Sequence, residues 1–214
     1  MLSDTQIAGS NFITPFDAGD RKPGVISYGL TSYGYDFRLG YKFKVFKGYP
    51  CNTIDPKAFD ENCMEIVDLT PDEHDFGYAA GYCLRCGVRT QQCKEALRSP
   101  CGERPTYIDI PPHAFVLAET VEHVTIPRDV LCILVGKSTY ARCGLVVNCT
   151  PLEPEWYGVI TLELSNTTSL PLRVYCNEGI AQGVFHTATG ECARSYADKR
   201  GKYQNQTGLT SPKV

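Results

Sequence analysis

The chain has 214 residues, 21 basic and 24 acidic side chains and a formal charge of −3. That length fits one domain, able to bury about 70% of its unfolded surface without crosslinks, and the balanced charge offers neither a nucleic-acid surface nor a membrane surface. No apolar run approaches a membrane span, and the opening MLSDTQIAGSNF lacks both a basic region and an apolar core, so a cytoplasmic protein is expected, its eleven cysteines reduced.

Ser3, Asp4, Thr5 and Gln6 form a capping-box pattern that predicts a short helix before Gly9. Residues 14–24, rich in proline, glycine and aspartate, predict a loop. Alternating apolar and polar residues then predict strands over 33–39, 41–45, 115–119, 121–126, 130–135, 145–149, 159–164 and 172–175. Many short strands with little helix indicate an all-β sandwich or barrel over a single domain, 1–214. Residues 71–105 break the pattern, being polar and without either period, and read as an insertion. They carry Cys83, Cys86, Cys93 and Cys101, one close pair followed by wider spacing. Two readings stay open: a structural zinc site, or a loop of reduced thiols. The tail, 194–214, carries Arg194, Lys199, Arg200, Lys202 and Lys213 against Asp198 alone, a patch suited to meeting an anion.

Candidate chemistry concentrates in 136–166. Gly136, Lys137, Ser138, Thr139, Tyr140, Ala141, Arg142, Cys143 and Gly144 follow a strand and predict a short helical turn. Ser138 is its expected N-cap, and Gly144 its left-handed stop. Ser138 and Arg142 share a helical face, so the turn is either a small phosphate site or a capped surface turn with solvated cations. A Walker A loop is excluded, because Leu131 stands where its first glycine belongs. Period two in 159–164 puts Ile160, Leu162 and Leu164 on one face and Val159, Thr161 and Glu163 on the other. Glu163 is then either a solvated strand carboxylate or a carboxyl in a dry pocket, with a pKa raised into the range for general acid/base work.

GKSTYARCGLVVN, PLEPEWYGVITLELSNTTSLPLRVYCNEGIAQ and SYADKRGKYQNQTG together resemble the dCTP deaminase family of the dUTPase-like superfamily. The resemblance runs over about 27–60 and from 110 to the C-terminus. It implies a distorted jelly-roll β-barrel of the dUTPase-like type with a few short helices, assembled as a homotrimer with active sites between subunits. It implies an enzyme of pyrimidine deoxynucleotide metabolism that converts dCTP to dUTP and ammonia, with Glu163 as the catalytic base and acid. Lys137, Ser138, Thr139 and Arg142 would grip the triphosphate. Asn148 and Thr150, within the run to Pro151, would line the base, Glu153 would meet the sugar 3′-hydroxyl, and Tyr196, Lys202 and Gln206 would belong to a C-terminal lid. Magnesium would arrive on the triphosphate, since no carboxylate cluster suggests a protein-bound ion. Two alternatives accompany this reading: a bifunctional enzyme ending at dUMP and diphosphate, and a non-catalytic nucleotide-binding regulator. Glu155 stands where the family often has glycine. A zinc-hydroxide deaminase is disfavoured, because none of His74, His113, His123 and His186 has a glutamate two residues on.

Overall fold

The computed structural model describes residues 1–20, 23–47, 51–71, 106–213 and the backbone of 78–79 and 82–83. Its elements in chain order are α1 (Asp4–Ala8), β1 (Ile13–Thr14), β2 (Gly29–Thr31), β3 (Gly34–Phe46), a 3-10 turn (Glu61–Cys63) and β4 (Met64–Asp68). There follow β5 (Tyr78–Ala79), β6 (Tyr82–Cys83), β7 (Tyr107–Ile110), β8 (Phe115–Thr125) and β9 (Val130–Gly136). The chain continues through α2 (Ser138–Arg142), β10 (Leu145–Asn148), β11 (Tyr157–Asn166), β12 (Leu172–Tyr175) and β13 (Gly179–Thr187). The expected N-terminal helix is present, and Gln6 Oε1 accepts from the Ser3 N–H at 3.0 Å.

The fold is all-β in the main. One nine-stranded antiparallel sheet runs β10-β11-β8-β3-β13-β9, with β1 on β8 and both β2 and β4 on β3. Its two ends come together through α2, and a Cβ on Gly136 of β9 would meet Val147 of β10 at 3.4 Å, so the sheet is a nearly closed, distorted barrel. Long strands make the turn from one side of the barrel to the other. The sequence predicts two strands over 33–45; the structure has one, β3, whose first half pairs with β2 and β13 and whose second half pairs with β4 and β8. The register shifts between Leu39 and Phe43, where Gly40 lies against β8 so closely that a Cβ would sit 2.8 Å from Glu119 Cγ. Residues 115–126 behave alike: β8 is continuous, and the break expected near Thr120 is a bulge in its pairing with β11, where the Thr120 hydroxyl accepts from the Ile160 N–H.

Inside the barrel, Tyr35, Phe37, Leu39 and Phe43 of β3 pack with Val116, Ala118, Ile160, Leu162, Leu164, Ile180 and Phe185. The expected period of β11 holds, with Ile160, Leu162 and Leu164 buried and Thr161 and Glu163 on the other face. The expectation that all cysteines are reduced does not hold: Cys51 and Cys63 form a disulfide across the β3–β4 connection, with Cα atoms 5.6 Å apart. These two are 12 residues apart in sequence, and the strand pairing of β3 with β4 brings them together. Cys132, Cys143, Cys149, Cys176 and Cys192 are free thiols. Cys86, Cys93, Cys101 and the side chain of Cys83 lie outside the described residues.

Candidate active site

Strand β11 places Glu163 opposite Asn148 of β10 on one side and Leu117 of β8 on the other, which fixes its side chain on the wall of a cavity of ≈ 860 Å³. Phe46, Phe59, Phe115 and Trp156 contribute apolar wall, and Thr161, Thr150 and Gln206 contribute polar atoms. Oε2 of Glu163 is buried and has no hydrogen-bond partner. Desolvation raises its pKa from 4.5 to about 7, against a smaller lowering by its own backbone N–H. A carboxyl held there can accept a proton and return it near neutral pH. Beside it, burial and then the Glu163 charge push the Cys149 thiol up to about 12, so this cysteine is a neutral wall.

The chain's own C-terminal segment completes the cavity. Tyr196, Tyr203, Gln206, Thr210, Ser211 and Pro212 line it. Gln206 pairs in parallel with Gly158 at the start of β11, where a Cβ on Gly158 would lie 2.8 Å from the Gln206 nitrogen. Thr161 Oγ1 donates to Gln206 Oε1 at 3.0 Å, and Trp156 Nε1 donates to the Tyr203 carbonyl at 3.0 Å. Tyr196 enters through its hydroxyl, which accepts from the Tyr203 N–H at 3.0 Å.

Of the residues singled out in the sequence, Glu163, Thr150, Glu153, Tyr196 and Gln206 meet in this cavity. Glu153 also accepts from Lys199 Nζ at 3.3 Å, a partner that the sequence pattern did not reveal. Asn148 is the cross-strand neighbour of Glu163 but is exposed. Lys202 is exposed as well, and its ammonium donates to the Lys213 carbonyl at 2.6 Å rather than reaching the cavity. The α2 group stands apart from the cavity. Ser138, Thr139 and Arg142 are exposed on α2, with Arg142 NH1 donating to the Ser138 carbonyl at 3.0 Å, so the two do share a face. The N-cap is Lys137, not Ser138, because the extended backbone ends at Lys137 and Ser138 is already the first helical residue, one position earlier than its capping preference implies. Lys137 Nζ is bound to the buried carboxylate of Asp36, 101 residues away on β3, so its charge is neutralised within the chain. Gly144 follows α2 with φ +86°, the expected left-handed stop.

Glu155 has φ +62°, the conformation that glycine adopts without strain. The turn around it is nonetheless intact: the Trp156 N–H donates to the Glu153 carbonyl at 3.0 Å and the Glu155 N–H to Ile126 at 3.0 Å. Among the described residues, the grouping of three metal-ligand side chains is Cys51, Asp60 and Cys63, whose sulfurs are already joined and which do not line the cavity.

Barrel and site together define a β-barrel protein with a small-molecule cavity, a desolvated carboxyl on its wall and the C-terminal segment across its mouth. A family model described as dCTP deaminase-like matches residues 85–188. The chain is 45% identical to the dCTP deaminase of Helicobacter hepaticus over 217 aligned residues, covering 100% of this chain and 98% of the relative. With the dCTP deaminase of Roseiflexus castenholzii the identity is 46% over 202 residues, covering 94% of this chain and 90% of the relative. The crystal structure of 2′-deoxycytidine 5′-triphosphate deaminase from Agrobacterium tumefaciens shares the fold, with a TM-score of 0.50 and 14% identity over 87% of this chain and 47% of that one. The chain belongs to the dCTP deaminase family.

Proposed function

We propose that this protein catalyses the hydrolytic deamination of dCTP to dUTP and ammonia. The observation that carries the reading is Glu163, a half-buried carboxyl with one buried, unpartnered oxygen and a pKa near 7 on the wall of a cavity of suitable size. As carboxylate it takes a proton from water, and the resulting hydroxide adds to C4 of the cytosine ring. The proton then goes to N3; a second transfer, from the new C4 hydroxyl by way of Glu163 to the amino group, releases ammonia and leaves the C4 carbonyl. Water supplies every atom gained, and Glu163 ends as it began. The apolar walls keep the carboxyl desolvated, which lets one group serve as both base and acid.

Ser138, Thr139 and Arg142, with Lys137 in support, would grip the triphosphate. Their distance from the Glu163 cavity of the same chain is accounted for if they serve a neighbouring subunit in a homotrimer. Magnesium would be carried by the phosphates; the cavity walls suit this, since among the described residues Glu153 and Glu163 are the carboxylates that line the cavity and Glu153 is engaged by Lys199. A zinc site at Cys83, Cys86, Cys93 and Cys101 would fold the 71–105 segment and take no part in the chemistry, and a cytoplasmic location would supply the nucleotide. Incubation with dCTP and magnesium should release ammonia and yield dUTP on anion-exchange chromatography. A folded preparation that releases no ammonia from dCTP refutes the proposal, and dUMP as product would move it to the bifunctional reading.

A further inference from the structure

Residues 126–129, between β8 and β9, do not line the cavity, yet their one cation is held by both pieces of chain that shape its rim. Arg128 forks. Its NH1 donates to Glu155 Oε2 at 2.8 Å and its NH2 to Asp198 Oδ2 at 2.7 Å, with the Ala193 carbonyl at 3.5 Å and Glu191 Oε2 3.9 Å from Nε. Glu155 belongs to the turn that sets Glu153 and Trp156 on the cavity wall. Asp198 belongs to the turn that sets Tyr196 there, where it accepts from the Ser195 N–H at 3.0 Å and its own N–H donates to Ser195 Oγ at 3.1 Å. We propose that Arg128 is a positioning residue that clamps the C-terminal segment over the cavity through Asp198 and Glu155. This deepens the deaminase reading, and its kinetic part rests on that reading.

An isolated surface ion pair contributes little to stability, but this guanidinium ties together segments 27 and 70 residues away, in the two-armed geometry that only arginine offers. Charge balance makes the cation hard to replace. Three carboxylates, Glu155, Glu191 and Asp198, converge on one positive group. Without Arg128 they repel one another, and the repulsion falls on the junction between the turn and the C-terminal segment. The backbone at Glu155 points the same way. A left-handed non-glycine residue is strained, which glycine would relieve, and the ion pair to Arg128 is what glycine would forgo. Other links join the same pieces: the Tyr196 N–H to the Pro154 carbonyl at 2.9 Å, Lys199 to Glu153, the Trp156 indole to the Tyr203 carbonyl, and Gln204 Nε2 to the Glu155 carbonyl at 2.7 Å. Loss of the clamp therefore loosens the segment without releasing it.

The test measures dCTP kinetics and tryptic cleavage after Lys199 and Arg200, followed by mass spectrometry, in Arg128→Ala, Arg128→Lys and Glu155→Gly. For Arg128→Ala the expected result is a KM about five- to tenfold higher with kcat within about twofold, and faster cleavage of the segment. Arg128→Lys, which reaches one carboxylate at a time, falls between it and the parent. Glu155→Gly raises KM about two- to threefold while its Tm stays level or rises, a combination that misfolding cannot produce. Arg128→Ala with the parent's KM and cleavage rate overturns the proposal, as does a fall in Tm and kcat with KM unchanged. Failure of the parent protein to turn over dCTP would count against the deaminase reading alone, and the cleavage rates would still decide the clamp.

Discussion

The Glu163 wall and the α2 helix carry the two halves of the proposed chemistry, and the chain treats them in opposite ways. On β11 one oxygen of the half-buried Glu163 carboxyl is shut from solvent without a hydrogen-bond partner, in a cavity partly walled by aromatic rings. On α2 the hydroxyls of Ser138 and Thr139 and the Arg142 guanidinium stand exposed, while the neighbouring Lys137 is tied inward to Asp36. A general base near neutral pH needs desolvation, which a chain can build for itself; a phosphate grip needs cations that remain reachable by a ligand.

Glu163→Gln breaks the first half most sharply. It keeps the shape and removes the base, so activity should fall at least about 100-fold while nucleotide binding, read by calorimetry, survives. Appreciable turnover would place the base elsewhere. Arg142→Ala attacks the second half. Loss of a charge-assisted contact of about 2 kcal/mol should weaken apparent dCTP affinity about 30-fold, with far less effect on deoxycytidine. Equal losses for both ligands would point to misfolding or failed assembly.

The pH dependence sharpens the contrast further. With Glu163 at about 7, kcat/KM should fall about tenfold per pH unit below that value, and a plateau extending down to pH 5 would contradict a desolvated base. Stability should move the other way. A carboxyl raised from 4.5 to about 7 favours the folded state below pH 4.5, and that advantage is lost as pH rises to 7. Glu163→Gln should therefore gain about 1–2 kcal/mol over the parent between pH 5 and pH 8 in denaturant unfolding, after allowance for the carboxyl's partial solvation. The smallest effect concerns the 71–105 segment. Chelator treatment, with zinc measured before and after, should leave deamination unchanged, and loss of activity with the metal would place that segment in the site.

Strand periodicity made much of this legible. The alternation in 159–164 separated the buried face of β11 from Glu163, and 172–175 coincides with β12. Strand β13 escaped notice because Gly179, Ala181 and Gly183 give it little β signal; the reason is tertiary, since a Cβ on Gly183 would sit 2.4 Å from Phe37. Ion pairs between distant segments, Lys137 with Asp36 and Arg128 with Asp198, leave no local pattern, and neither does the Cys51–Cys63 bond. A helix start was misplaced by one residue at Ser138, where the helical turn begins a residue earlier than the capping preference implied and takes Lys137 as its N-cap.

Trp156 is the only tryptophan in the chain. It is buried on the cavity wall, and its indole N–H donates to the carbonyl of Tyr203 in the C-terminal segment. An indole emits according to its polarity and hydrogen bonding, so the protein carries a built-in optical reporter at the junction of wall and segment. A shift of its emission maximum to the red would time the departure of the segment from the cavity in a stopped-flow instrument, without a label.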